Sequence, residues 1–401
     1  MKLKEICTVF SDGDWIESKS QSDKGIRLIQ TGNIGEGKYL EKTERAKYIS
    51  EDTFKELKCT EIFSGDILVS RLPEPIGRAC IIPDKSERMI TAVDCTICRV
   101  NENIANREYI CYFMQSQLYY NRLLGNVTGT TRKRISRKNL GNIELVIPTL
   151  NEQKAIVKKL NYLTKGINLR RKELEYLDTL IKARFVEMFG DARKNPNKYD
   201  TVSFIDIVEY MGDIGSNGAN KVVVDHLDMK NKEDYAMMVR FTNFTKNDFT
   251  DDVKYVSKEA YDFFKKSQIF GGELIICKIG SAGQNYVMPY LNRPVSLGLN
   301  QIMVRIKDNI LMPYLYQYLH TDYGEFLISG CINGAVTKTI TKTELKKIPV
   351  MLPPMELQRE FVAFVEQVDK SKVVYQIIIN KLTFLQKICY NNYKEQYHIP
   401  G

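Results

Sequence analysis

Histidine is nearly missing from this 401-residue sequence: His226, His320 and His398 are the only three. They are widely separated, and none has a serine, cysteine or aspartate at a spacing that supports triad chemistry. Long apolar runs are missing as well, so no membrane-spanning helix is expected. The start MKLKEICTVFSD has two lysines but only a short apolar run before Asp12, unlike a signal peptide. Nine cysteines, an odd number and scattered, argue against a disulfide framework. They read as reduced, mostly buried thiols of a cytoplasmic protein. The lone pair Cys95-Thr-Ile-Cys98 lies in a strand pattern, where residues three apart face opposite ways and cannot share a metal. Gly32-Asn-Ile-Gly-Glu-Gly37-Lys38 lacks the Ser or Thr that a phosphate loop needs for Mg²⁺. Asn195-Pro-Asn-Lys-Tyr199 superficially resembles the Asn-Pro-Pro-Tyr motif of amino-methyltransferases but lacks the second proline and a glycine-rich cofactor loop. Acidic pairs such as Asp251-Asp252 have no Glu-x-Lys companion at nuclease spacing. No catalytic constellation emerges, so the chain is expected not to be an enzyme and to bind no cofactor or metal directly.

What is present is ordinary in composition and unusual in pattern. With 43% hydrophobic and 27% charged residues, the chain reads as soluble and long enough for two or three domains. A net charge of +9 permits a polyanionic partner without requiring one. The stretch 147–190 begins with a proline and Thr149-Leu-Asn-Glu152, a capping-box pattern. It then runs without proline to Gly190, keeping a seven-residue seam. Positions a are Gln153, Leu160, Ile167, Leu174, Ile181 and Met188; positions d are Ile156, Leu163, Arg170, Leu177 and Arg184. A helix of this length, about 57 Å, is too long for the interior of one domain and needs a partner helix.

The partner lies in the same chain. Leu352-Pro-Pro-Met-Glu-Leu-Gln358 matches Ile147-Pro-Thr-Leu-Asn-Glu-Gln153 at an offset of 205 residues. The same frame places Gln358, Val365, Ile379 and Gln386 at a, and Phe361, Val368, Tyr375, Leu382 and Cys389 at d, interrupted by Lys372. What precedes the helices also repeats. Leu3 and Ile6 correspond to Phe204 and Ile207, Gly65-Asp-Ile-Leu68 to Gly272-Glu-Leu-Ile275, Ile81-Ile-Pro83 to Val287-Met-Pro289, and Gly129…Ile135 to Gly334…Ile340. Residues 221–232 read as an insertion. Two copies of one unit, each a β-rich domain with a late helix followed by a long helix, give an α+β chain. Its boundaries are 1–148, 149–190, 191–353 and 354–395. Within the first copy, Arg107–Leu124 reads as one helix and Ile143–Ile147 as a strand.

Two features repeat with a chemistry of their own. A basic loop carries Arg132, Lys133, Arg134, Arg137 and Lys138 among Thr128, Thr130, Thr131 and Ser136; its weaker copy has Thr337, Lys338, Thr339, Thr341 and Lys342. Cations neutralise phosphates, and short hydroxyls and guanidinium forks can read base edges. A solvated charged turn is the plainer reading of either copy; recurrence at one place favours DNA. The turn after each Gly-Asp/Glu strand also repeats: Arg71–Arg78, and Lys278–Asn285 with Gln284. Each combines cations, glycines and small or amide side chains, as a backbone close to a ligand would need.

The two copies, the I/L-P-x-x-x-x-Gln helix starts and Leu180-Ile-Lys-Ala-Arg-Phe-Val-Glu-Met-Phe-Gly-Asp191 together resemble the DNA-specificity subunit of type I restriction–modification systems, over nearly the whole chain. Gly65–Leu68 and Ser296–Gln301 sit where that family has related stretches. The resemblance implies two target-recognition domains joined by two long helices that form an antiparallel coiled coil. Each domain would read half of a bipartite site in double-stranded DNA, with the helices as a ruler. It implies a non-catalytic subunit that docks two methyltransferase subunits and optionally restriction subunits, with S-adenosylmethionine and ATP/Mg held only by those partners. On this reading the cations, hydroxyls and amides named above contact DNA. The seam residues Leu160, Leu163, Ile167, Leu174, Leu177, Ile181, Val365, Val368, Ile379 and Leu382 serve helix pairing and partner docking. The alternative is a non-catalytic tandem-domain scaffold that binds protein or another polyanion through its coiled coil.

Overall fold

A computed structural model describes residues 1–72, 74–129 and 133–396, with 390–396 as backbone alone. The chain divides into two compact units: residues 1–171 with the segment from Gln376 onward, and residues 172–375. Each unit therefore combines a globular domain with part of each long helix.

In the first unit, a four-stranded antiparallel sheet runs in the order Cys7–Asp12, Cys95–Val100, Ile67–Ser70, Ala79–Ile81. Side chains of a strand alternate between faces, and here each face has its own core. Ile67, Val69, Cys98 and Val100 pack with the helices Arg107–Phe113 and Gln117–Leu124. Leu68, Cys80, Cys95 and Ile97 pack with Ile29, Ile62 and Met89. Both faces are covered, which is why Ile67-Leu-Val-Ser70 is a continuous buried run rather than an alternating one. Cys95 and Cys98 point into different cores, as their spacing requires, and all nine cysteines are free thiols. Ile29 and Met89 belong to a second sheet, Lys47–Ile49, Ile26–Ile29, Met89–Thr91, Glu61–Ile62, whose central pair is parallel.

The second unit repeats this topology strand for strand. One sheet runs Val208–Gly212, Gln301–Ile306, Leu274–Cys277, Asn285–Val287; the other runs Lys254–Val256, Ala236–Val239, Val295–Leu297, Gln268–Ile269, again with a parallel central pair. Even the register irregularity in the first strand recurs, between Cys7 and Val9 and between Val208 and Tyr210. Gly65 and Gly272 both take positive φ, +89° and +87°, in the turn that enters the central strand. The acid that follows is buried and paired in each case: Asp66 with Arg99 at 2.8 Å, Glu273 with Arg305 at 3.3 Å.

Two local expectations change. Residues 107–124 form two helices, because the buried Ser116 caps a new one by accepting the amide of Tyr119. Ile143–Ile147 is no strand: it is held by a single bridge, Lys2 with Glu144, and by the hydrogen bond from Leu145 N to Met1 O. Its counterpart Pro349–Leu352 does form a strand, against Asp200–Ser203. The expected insertion 221–232 contributes a short helix, Asn220–His226, whose Val223 enters a core with Ala236, Met238 and Phe264.

The long helices span Leu150–Phe189 and Met355–Gln396. The first opens with the expected capping box: Thr149 N donates to Glu152 Oε2 at 2.8 Å, and Glu152 N to Thr149 Oγ1 at 3.4 Å. Every a and d position of both heptad series is buried or half-buried. The earliest a positions bind their own domain instead of the sister helix. Gln153 accepts Asn106 N at 2.7 Å and donates to Pro148 O; Gln358 accepts Leu311 N at 2.9 Å and donates to Pro353 O. Within the first unit, Gln386 donates to Thr164 and Leu382 lies against Gly166. Within the second, Lys372 pairs with Asp178 at 2.8 Å and Arg184 with Glu360 at 2.8 Å. Partner numbers fall on one helix as they rise on the other, so the pairing is antiparallel in each unit. The other two polar a residues, Lys372 and Gln386, thus pair across the seam instead of breaking it. In the second unit Phe185, Phe189, Phe361 and Tyr314 pack with ring centroids 4.9–5.5 Å apart. Each such pair adds about 0.5–1.5 kcal/mol beyond its area burial.

Candidate nucleic-acid interface

Each unit brings its basic loop and its glycine-containing turn together. In the second unit the ribbon Ile332–Asn333/Thr339–Ile340 lies on the turn that follows Leu274–Cys277. Ile340 N donates to Lys278 O at 3.0 Å, Gly280 N donates to Lys338 O at 3.2 Å, and Ile279 bridges Thr339. In the first unit the equivalent ribbon, Val127–Thr128/Arg134–Ile135, sits the same way, with Ile135 N donating to Arg71 O at 3.4 Å. Residues remote in sequence but flagged for the same chemistry are therefore neighbours in both copies.

The cations divide by environment. Arg71 is 4% exposed, paired with Asp12 at 3.2 Å and donating to Val93 O. Arg78 donates to the carbonyls of Ile34, Thr31 and Pro75, which anchors the turn 31–34 to the turn 71–78. Both guanidinium groups thus hold the domain together. Lys133, Arg134 and Arg137 are exposed and reach carboxylates at the surface: Glu74 at 3.2 Å, Asp94 at 3.3 Å and Asp12 at 3.9 Å. Exposed pairs of this kind are worth less than about 1 kcal/mol, so these cations can exchange partners with a phosphate. Lys138 and Lys338 are exposed and make no ion pair among the described residues. Thr130, Thr131 and Arg132 lie outside the described residues.

In the second unit Lys278 and Lys342 converge on one buried carboxylate, Asp213, at 2.8 and 2.9 Å. Burial alone would raise the pKa of Asp213; hydrogen bonds and charge from the two lysines outweigh it and hold the group at about 2. Gln284 and Thr337 are exposed, and Thr339 is half-buried beside Asn333. Asn285 is buried, donating to Gly283 O, and its carbonyl oxygen has no partner among the described residues. At the tip of the ribbon Val336 is 97% exposed, next to Thr337 and Lys338.

Asp12 and Asp213 escaped the sequence reading. The signal was present: they are 201 residues apart, the offset that relates Leu3 to Phe204 and Ile6 to Ile207. Also unforeseen is Trp15, the one tryptophan, 71% exposed in the loop after Asp12. That loop is tied to the sheet by Gly13 N donating to Cys95 O and Asp14 N to Thr91 O. Each domain thus presents exposed cations on its ribbon or turn, and in the second unit Gln284, Thr337 and Val336 are exposed on the same turn and ribbon. Such a face can neutralise phosphates and contact base edges. Among the described residues no cluster could hold a metal ion, and no helix is long and apolar enough to cross a membrane.

Comparison with known proteins fits this geometry. The family model described as "Type I restriction modification DNA specificity domain" matches residues 1–178 and 206–383, one match for each repeat. A putative type I restriction enzyme MjaX specificity subunit from Methanocaldococcus jannaschii is 22% identical over 386 residues, spanning 92% of this chain and 86% of that one. The MjaVIII specificity subunit of the same organism is 25% identical over 181 residues, 44% of this chain but only 42% of that protein. A solved structure concerning assembly and conformational transition of the type I R-M system contains a chain of similar fold. The TM-score is 0.54 at 17% identity, covering 98% of this chain and 96% of that one.

Proposed function

The chain belongs to the family of type I restriction–modification DNA specificity domains, and from that premise we propose that it is the non-catalytic, DNA-reading subunit of a cytoplasmic type I restriction–modification complex. Each of its two repeats reads one half of a bipartite site in double-stranded DNA. The single observation that carries this reading is the recurrence, in both units, of a ribbon and a turn that meet to form a cationic face.

Methyltransferase subunits, two per chain, are the proposed partners, joined optionally by restriction subunits; S-adenosylmethionine and ATP/Mg belong to those subunits. The seam positions are occupied within this chain, which leaves docking to apolar side chains that the helices expose. These include Tyr162, Leu169, Tyr176 and Leu180 on the first helix, and Val373, Ile377, Phe384 and Leu385 on the second.

The test uses Lys138 and Lys338, which make no ion pair among the described residues. The double variant Lys138→Ala, Lys338→Ala is expected to weaken binding to all duplexes alike and to lower the slope of log K against log salt by about 1.8, or ~0.9 per phosphate. Unchanged affinity and slope, in a protein that still assembles with its methyltransferase subunit, would remove the DNA assignment from these faces.

A further inference from the structure

Asp213 sits at the end of the strand Val208–Gly212 and gives one carboxylate oxygen to each of two lysines: Oδ2 to Lys278, Oδ1 to Lys342. Ser216 closes the arrangement, donating to Oδ1 at 3.0 Å and accepting from Lys342 at 3.0 Å. The first unit has the same construction with different side chains. It is looser there: Asp12, at the end of Cys7–Asp12, lies 3.2 Å from Arg71 and 3.9 Å from the exposed Arg137, and Thr96 donates to it at 3.2 Å. The three positions correspond between the repeats: first strand end, turn after the central strand, start of the short helix after the ribbon.

One cation would neutralise a buried carboxylate. Asp213 has two, so its cluster keeps a positive surplus. Lys278 and Lys342 are each about one-third exposed and carry N–H groups that the carboxylate does not use. They are also already ordered. A long, free lysine loses rotamer entropy when it meets a phosphate; one tethered at its tip has lost it beforehand.

We propose that Asp213 is a positioning residue for DNA binding, holding Lys278 and Lys342 side by side as a preorganised clamp for one backbone phosphate. The inference rests on the DNA-reading function proposed above and adds to it the device that orders the contact.

The sign of one substitution separates this from a simple charge effect. Asp213→Asn removes a negative charge, so a bystander carboxylate predicts tighter DNA binding. Positioning predicts weaker binding, about tenfold, because the lysines are no longer held. The measurement is duplex-DNA affinity of the full chain over a salt series, for wild type, Asp213→Asn, Lys278→Ala/Lys342→Ala and the triple variant. The expected result is a loss with Asp213→Asn that disappears in the lysine-free background. Binding as tight as wild type with Asp213→Asn, or a loss that persists without the lysines, overturns the proposal while the DNA-reading function stands. A wild-type protein with no salt-dependent duplex binding overturns both.

Discussion

Asp213 stays ionised although it is buried, because two ammonium groups reach its two oxygens. Its folded-state pKa, about 2, lies below the ordinary 3.8. Its stabilisation is therefore fully present above about pH 4 and is lost as the pH falls towards about 2, by a total on the order of 2 kcal/mol. In acid unfolding, the stability difference between wild type and Asp213→Asn is expected to shrink across that window; a difference that stays constant would show that the carboxylate is not held by charge. Residues of this kind explain the unevenness of the sequence reading. Cation-rich loops are visible in a sequence, but whether a cation is free depends on an acid far away in the chain. Arg71 looks like a ligand-facing arginine until Asp12 and the carbonyl of Val93 are placed around it. Conversely, Lys372 looks like a flaw in a seam until Asp178 is seen opposite.

At the scale of elements, most was legible. Heptad spacing and the capping box located the first long helix and the repeat at an offset of 205 located the second, since their period is a local property of the sequence. The antiparallel pairing followed from the family resemblance, and the cross-helix partners in each unit agree with it. The strand pattern of Ile67–Ser70 survived because a twice-covered sheet demands an unbroken apolar run. The break at Ser116 and the missing strand at Ile143–Ile147 were not legible, because a cap and a pairing partner decide them. The roles of Gln153 and Gln358 were also hidden: both fit the heptad frame, yet both are spent tying a helix to its own domain. Gln358→Ala would strip the amide of Leu311 and the carbonyl of Pro353 of their buried partner. It is expected to cost about 3 kcal/mol, read as a lowered unfolding midpoint in urea. A loss under about 1 kcal/mol would mean that the helix start is held by packing alone.

At the scale of the whole molecule, duplication is the organising fact. Two units with one topology, matching register irregularities and matching aspartate–cation clusters imply two copies of one recognition task. On the proposed reading, bases in the second copy's half-site would be met by exposed side chains such as Val336, Gln284 and Thr337, whose neighbours on DNA no sequence pattern specifies. The most direct test of the account is co-expression with a cognate methyltransferase subunit, followed by sequencing of the host DNA with detection of modified bases. The account predicts a new methylation mark in a split motif, two short half-sites around a fixed unread gap. A mark in one uninterrupted motif, or no mark although the two proteins co-purify as an active methyltransferase, would contradict it.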